Sequence, residues 1–172
     1  TNIGLLFTVD PAIPTLLKGI VTMAGNFLGK IENAPNPEWN AMGDAHASRI
    51  VYDQAIKQHR SIGLDVTMQV TMTIPEFRAA FDNDRTRPLL DFAEIWFHEW
   101  PVVTFHDPLA AATIFKPELC EYEKGEVLIE INDPENCGWT HWQPNANGRH
   151  EIATTVNRDS FIAHYFSILE NF

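Results

Sequence analysis

Short β-branched runs alternate along the chain with longer stretches whose apolar residues recur at helical spacing. Positions 3–7 form a short apolar segment, and positions 11–18 are predicted as a helix opening at Asp10-Pro11. Positions 19–23 are a compact β-branched run, predicted as a buried strand. The pattern then breaks from 24 to 37 into a polar stretch holding Gly25, Gly29, Asn33, Pro35 and Pro37. A loop of that length is uncommon in a compact domain and is often functional. Positions 45–58 have helical character with Ile50, Val51, Tyr52 and Ile56 on or near an apolar face, and 61–66 is predicted as another strand.

Further along, 75–81 and 87–100 are predicted as two helices, the second rich in Phe and Trp, and 107–115 as a third. Positions 126–131, 139–142 and 151–156 are predicted strands, with Asp133-Pro134 and Asn147-Gly148 as turn signals. Positions 160–170 close the chain as an amphipathic helix. No internal repeat, linker or low-complexity segment interrupts residues 1–172, which are expected to form a single domain. Alternating strands and helices imply an α/β layered architecture.

Composition narrows the class. With 172 residues and 45% hydrophobic content the chain can bury a substantial core. A net charge of −11, with 12 scattered basic residues, argues against nucleic acid, whose phosphates demand clustered Lys and Arg. Cys120 and Cys137 form no CxxC pair, so two free thiols are expected, with a single disulfide as the alternative. No apolar run approaches the roughly 18 residues of a membrane span. The start, Thr1-Asn2-Ile3, has neither Met nor a basic leader, so a cytoplasmic protein with a cut end is expected.

Candidate chemistry gathers at His106-Asp107, followed by Pro108 and an alanine-rich stretch. A titratable imidazole there adjoins a hard oxygen ligand, and Pro108 suits the first turn of a helix. The dyad would sit at a helix mouth, where backbone donors favour negative charge. Thr1-Asn2 and the segment ending Asn33, Glu38, Trp39, Asn40 offer further polar groups. All three places are expected at strand carboxyl ends or helix starts, where ligands bind in open α/β sheets.

In this constellation the chain resembles the nucleoside hydrolases of the inosine–uridine preferring group. The resemblance runs over nearly the whole chain, through Thr1-Asn2-Ile3, Ile20-Val21-Thr22-Met23-Ala24-Gly25, Glu38-Trp39-Asn40, Gly63-Leu64-Asp65-Val66-Thr67 and Phe105-His106-Asp107-Pro108. It implies a Rossmann-like open, mostly parallel sheet with flanking helices, and hydrolysis of ribonucleosides to ribose and free base. It further implies Ca2+ as cofactor, with the Thr1 carbonyl and Asp107 as ligands. Glu38 and Asn40 are implied to bind ribose hydroxyls, Met23 to line the sugar pocket, and His106 to protonate the departing base. Asn33 takes the place of an Asn that members usually carry before this motif, with spacing off by about one. Trp39 stands where many members have Phe, resembles purine-preferring relatives in this, and could stack on a base.

The family's Asp-rich "DxDxxxDD" strand-loop, which supplies most calcium ligands and the general base, has no counterpart in these 172 residues. The match therefore begins at the family's midpoint and lacks its N-terminal half, so the isolated chain is expected to be inactive. The alternative is a non-catalytic fragment or pseudoenzyme acting through protein contacts, either as a homo-oligomer or paired with the missing half across an exposed sheet edge. Read without the resemblance, Asp107 suits a helix cap, Glu38 a first-turn acid, Asn40 a cap and Met23 ordinary core. Trp96 and Trp100, four apart, are expected to pack the core. Trp139 and Trp142 read as core or interface, with a sugar-stacking platform as the weaker reading. The other histidines (46, 59, 98, 141, 150 and 164) show no ligand spacing.

Overall fold

The β-branched runs pair into one five-stranded sheet, and the helical segments cover both of its faces. The computed structural model describes residues 1–170. Strands β1 (Ile20–Thr22), β2 (His59–Ser61), β5 (Cys120–Ile129), β6 (Thr140–Pro144) and β7 (His150–Val156) lie in the order β1-β2-β7-β5-β6. Strand β1 runs parallel to β2 and β2 parallel to β7, whereas β5 is antiparallel to both β7 and β6. Four of the five strands therefore point the same way. This is the expected α/β, mostly parallel sheet with flanking helices.

Strand periodicity explains the layering. Ile152 and Ala153 are neighbours on β7, both fully buried, yet they belong to different apolar clusters, because successive strand residues face opposite ways. Ala153 faces Phe105, Leu109 and Phe161, contributed by the start of α8 (His106–Phe115) and by α9 (Arg158–Glu170). Ile152 faces Ala45 and Tyr52 of α4 (Ala45–Tyr52). Each such fully buried large side chain contributes about 1.5–3 kcal/mol relative to exposure, so packing rather than intrinsic propensity decides these elements.

Several expectations are corrected. The apolar segment at 3–7 lies inside a helix, α1 (Asn2–Val9). Its Gly4 lets the two backbones close, since a Cβ there would meet Ala47 of α4 at under 3 Å. Only Ile13–Leu16 of the helix expected at 11–18 forms, as α2. The helix expected to reach 58 stops at Tyr52, and the strand expected at 61–66 ends at Ser61. A helical turn, α5 (Leu64–Thr67), follows at once. The aromatic helix α7 (Arg87–Trp96) ends before Trp100. Trp96 and Trp100 do not pack the core: they stack on each other at 5.6 Å and are 50% and 53% exposed.

A second, two-stranded antiparallel sheet of β3 (Thr71–Thr73) and β4 (Val102–Thr104) lies outside the predicted strands. It frames α6 (Ile74–Phe81), whose Thr73 and Glu76 form a capping box. Cys120 and Cys137 are both free. Burial pushes the Cys120 thiol up to about 12, so it stays neutral and inert.

Candidate active site

Strands β1 and β2 end side by side, and the segments that leave them build the site. The loop from 23 to 38 starts at the carboxyl end of β1 and closes on the short helix α3 (Trp39–Met42). Two buried carboxylates hold this loop from within. Glu38, only 3% exposed, caps α3 by accepting the N–H groups of Asn40 (2.8 Å) and Ala41 (3.1 Å), and it also accepts Gly25 N–H at 2.9 Å. Asp65, fully buried on α5, accepts Phe27 N–H at 2.7 Å and Leu28 N–H at 3.0 Å. Gly25, at φ +91°, supplies the left-handed turn between them.

Beside this loop opens a cavity of about 610 Å³, large enough for a small-molecule ligand. Its lining includes Thr1, Met23, Asn40 and Asp107, four of the sequence-predicted site residues, brought together from α1's start, β1's end, α3 and α8. Asn40 is fixed there because its amide donates to the Met23 carbonyl at 3.0 Å. The Thr1 carbonyl already accepts Leu5 N–H at 2.9 Å, the first bond of α1, and keeps one lone pair. Asp107 lies in the first turn of α8 and is exposed; it caps nothing, and Phe105 stands at the N-cap position. Pro108 falls within that first turn.

His106 is half-buried beside this group. Its Nδ1 meets the hydroxyl of fully buried Thr67 at 2.8 Å. Burial holds the imidazole below its ordinary range, and the negative charges of Asp107 and Glu38 oppose that shift. The ring is thus pinned at one nitrogen by Thr67 and sits among carboxylates that favour its protonated form.

Four predicted residues lie outside the cavity lining: Glu38 and His106 adjoin it, while Asn33 and Trp39 stand apart. Asn33 sits exposed on the loop at φ 61°, a left-handed position that Asn tolerates. Trp39 projects outward and is 75% exposed. Sequence reasoning also missed residues that matter. Thr22, Ser48 and Tyr52 line the cavity, and Thr67 holds His106. Asp44 caps α4 through Ala47 N–H (3.0 Å), and its carboxyl lies below the usual range because of that bond and then the Thr1 hydroxyl. The Gly63–Thr67 run was a visible signal for Asp65 and Thr67, but nothing in one dimension says which loop or ring each would reach.

Behind Tyr52 lies a buried polar cluster. The Tyr52 hydroxyl meets Ser61 Oγ at 2.8 Å, and its ring stacks on His59 at 4.5 Å between centroids. His150 accepts Val127 N–H at Nδ1 (3.0 Å), so its Nε2–H donates to the Tyr52 carbonyl at 2.9 Å. Burial pushes His59 down to about 3, with the neighbouring His150 adding to the shift, and burial also lowers His150. Both rings are neutral structural groups.

As for a metal, Asp107 and the Thr1 carbonyl are hard oxygen donors of the kind Ca2+ takes, but they are two where the ion wants roughly six to eight. Among the described residues no group of three or more His, Cys, Asp or Glu could hold a metal ion. The donors fit in kind and fall short in number.

Residues 1–163 match the family model described as inosine-uridine preferring nucleoside hydrolase. The inosine-uridine preferring nucleoside hydrolase of Leishmania major is 28% identical over 99% of this chain and 57% of its own length. The pyrimidine-specific ribonucleoside hydrolase of Shigella boydii is 33% identical over 94% of this chain and 56% of its own. The solved purine-preferring ribonucleoside hydrolase of Gardnerella vaginalis superposes with a TM-score of 0.82 at 23% identity, covering 97% of this chain and 56% of that one, a likeness of fold. The chain spans about half the length of the curated relatives it matches.

Proposed function

Because the chain belongs to the inosine-uridine preferring nucleoside hydrolase family, we propose that it carries the ribose-binding and leaving-group side of a site that hydrolyses ribonucleosides to ribose and free base. The observation that carries this reading is one cavity that gathers Thr1, Met23, Asn40 and Asp107, with His106 and Glu38 adjoining. Base preference does not follow from it, since the relatives are variously named for purines, pyrimidines and both.

In this reading Asn40 and the remaining lone pair on the Glu38 carboxylate receive ribose hydroxyls, while Met23 walls the sugar. The protonated His106 ring donates Nδ1–H to Thr67 and has Nε2–H left for the departing base. N-ribosidic cleavage builds oxocarbenium character on the sugar, and the neighbouring carboxylates stabilise that charge. Thr1 and Asp107 would give two ligands to a Ca2+ whose other ligands come from outside the described residues. When bound, that ion would orient the ribose and activate the attacking water. The supporting chemistry is the hard-oxygen character of these two donors.

The test is turnover of inosine and uridine by the protein as it occurs in the cell, with calcium present. His106→Ala is expected to lower kcat by roughly 10²–10⁴, the usual worth of a positioned acid. Unchanged turnover in both His106→Ala and Asp107→Ala would overturn the assignment. The 172-residue chain alone is expected to release no ribose, because its ligand set is short.

A second reading rests on a separate observation. Strand β1 pairs only with β2, so one edge of the sheet is open among the described residues, and Leu5, Leu6, Val9 and Leu16 of α1 and α2 are exposed. Such an edge invites strand pairing. In this reading the chain acts by docking a polypeptide there, either a second copy or the remainder of the site. A sedimentation experiment showing only monomer at all concentrations, with activity intact, would exclude it.

A further inference from the structure

Asn40 is tied down at its backbone and at its side chain, and the side-chain tie decides what it can offer a ligand. Its backbone N–H donates to Glu38 Oε1 at 2.8 Å, which fixes the residue at the start of α3. Its side-chain NH2 meets two acceptors on Met23, the carbonyl oxygen at 3.0 Å and the thioether Sδ at 3.1 Å. A carbonyl oxygen only accepts, so the NH2 end of the amide faces Met23 and Oδ1 faces away. Oδ1 accepts no bond among the described residues, and Asn40 is exposed where it lines the nucleoside cavity. Oδ1 is therefore the end of the amide left for a ligand.

The end of β1 puts Met23 in place for this. The Thr22 carbonyl, last on the strand, accepts Ile62 N–H at 2.9 Å. One residue on, the Met23 carbonyl accepts no backbone N–H among the described residues and is free to take the amide. The Met23 side chain is half-buried against the cluster that holds Phe105 and Leu109, which restrains the sulfur. Sulfur alone is a weak acceptor. Beside the carbonyl it adds to the cost of turning the amide over, because a flipped Asn40 would set Oδ1 against two acceptors and lose both bonds.

An amide free at both ends can either donate to a sugar oxygen or accept from it. Asn40 has only its acceptor left, so the ligand atom that meets it must bring a proton. A hydroxyl does this, whereas an ether oxygen, a fluorine or a phosphate oxygen does not.

We propose that Met23 is a positioning residue whose carbonyl and sulfur lock the Asn40 amide, so that Oδ1 accepts a hydrogen bond from one ribose hydroxyl. The proposal rests on the nucleoside reading of the cavity and adds to it the polarity of one contact. Met23 then does more than wall the sugar, and Asn40 tells a hydroxyl from a proton-free substituent at one sugar position.

The experiment has two arms. In the first, 1H–15N NMR follows the Asn40 side-chain NH2 of the ligand-free 172-residue chain, identified by its loss in Asn40→Ala. Met23→Leu keeps the carbonyl and the approximate volume but removes the sulfur. It is expected to move an Asn40 NH2 proton upfield while the backbone amides of β2 and β7 stay in place. Unchanged NH2 signals would overturn the lock. In the second arm, Kd is measured with calcium present for inosine and for its analogues carrying fluorine in place of the 2′, 3′ or 5′ hydroxyl. One analogue is expected to bind about tenfold more weakly than inosine, and Asn40→Ala should erase most of that difference. Asn40→Asp, which has acceptors and no donor, should keep it. A difference that persists in Asn40→Ala, or that disappears in Asn40→Asp, would overturn the acceptor role. Failure of the unaltered chain to bind inosine at all would overturn the nucleoside reading instead, and the ligand-free arm still decides the lock.

Discussion

Glu38 and Asp65 accept only backbone N–H groups from the loop and helix that wall the cavity, so each acts as an internal staple for irregular chain. Asp65→Asn would set an amide NH2 against Phe27 or Leu28 N–H and leave a buried donor unmet. We expect a loss of about 2–3 kcal/mol, read by urea denaturation. Thr67 acts on the chemistry through His106. Thr67→Val should leave KM near its original value and reduce kcat by roughly tenfold or more, as outer partners of catalytic groups do, while Thr67→Ser restores it. Equal losses in both variants would mean that Thr67 matters only for packing. The His-Asp dyad and the Glu38–Asn40 motif are legible in the sequence as residues. The partner of His106 is not, because a Thr distant in sequence becomes its neighbour only through the packing of α5 on α8.

At the level of elements, the loop from 23 to 38 depends on Gly25. A Cβ there would run into the Phe27 ring, and φ +91° strains any L side chain. Gly25→Ala should therefore lower the melting temperature, with a loss of at least about 1–2 kcal/mol, and weaken nucleoside binding together with stability. Strands β6 and β7 are readable from their alternation and turn residues, whereas the strand expected at 126–131 covers only 126–129 of β5, which begins at Cys120. Strands β3 and β4 are only 3 residues each, too short for periodicity to register. Positions 64–67 look like a strand by composition, yet tertiary bonds from Asp65 and Thr67 hold them as a helical turn. The exposed Trp96–Trp100 pair fails the four-apart expectation for a local reason: α7 stops at Trp96, and that indole donates to Val102 carbonyl at 3.1 Å.

For the whole molecule, the buried His59 and His150 tie folding to pH. A histidine whose folded value lies below its unfolded value of about 6.5 binds fewer protons when folded. Its contribution is fully present above that pH and is lost as pH falls toward the folded value, which for His59 is about 3. Stability should thus decline below neutrality by up to about 1.4 kcal/mol per pH unit for each such histidine. His59→Gln should flatten that slope, whatever it does to stability at neutral pH, and an unchanged slope would contradict the assignment. For activity on folded protein His106 points the opposite way: its depressed value places the protonated acid on the acidic side of 6.5, so turnover should rise as pH falls while stability declines.

The claim on which the account stands is that this chain's cavity receives the nucleoside. The most direct measurement is a 1H–15N NMR titration of the chain with inosine in the presence of calcium. Saturable shifts confined to Met23, Asn40, His106, Asp107 and their neighbours are the predicted result. No shift, or shifts only at Trp139 and His141, would contradict it.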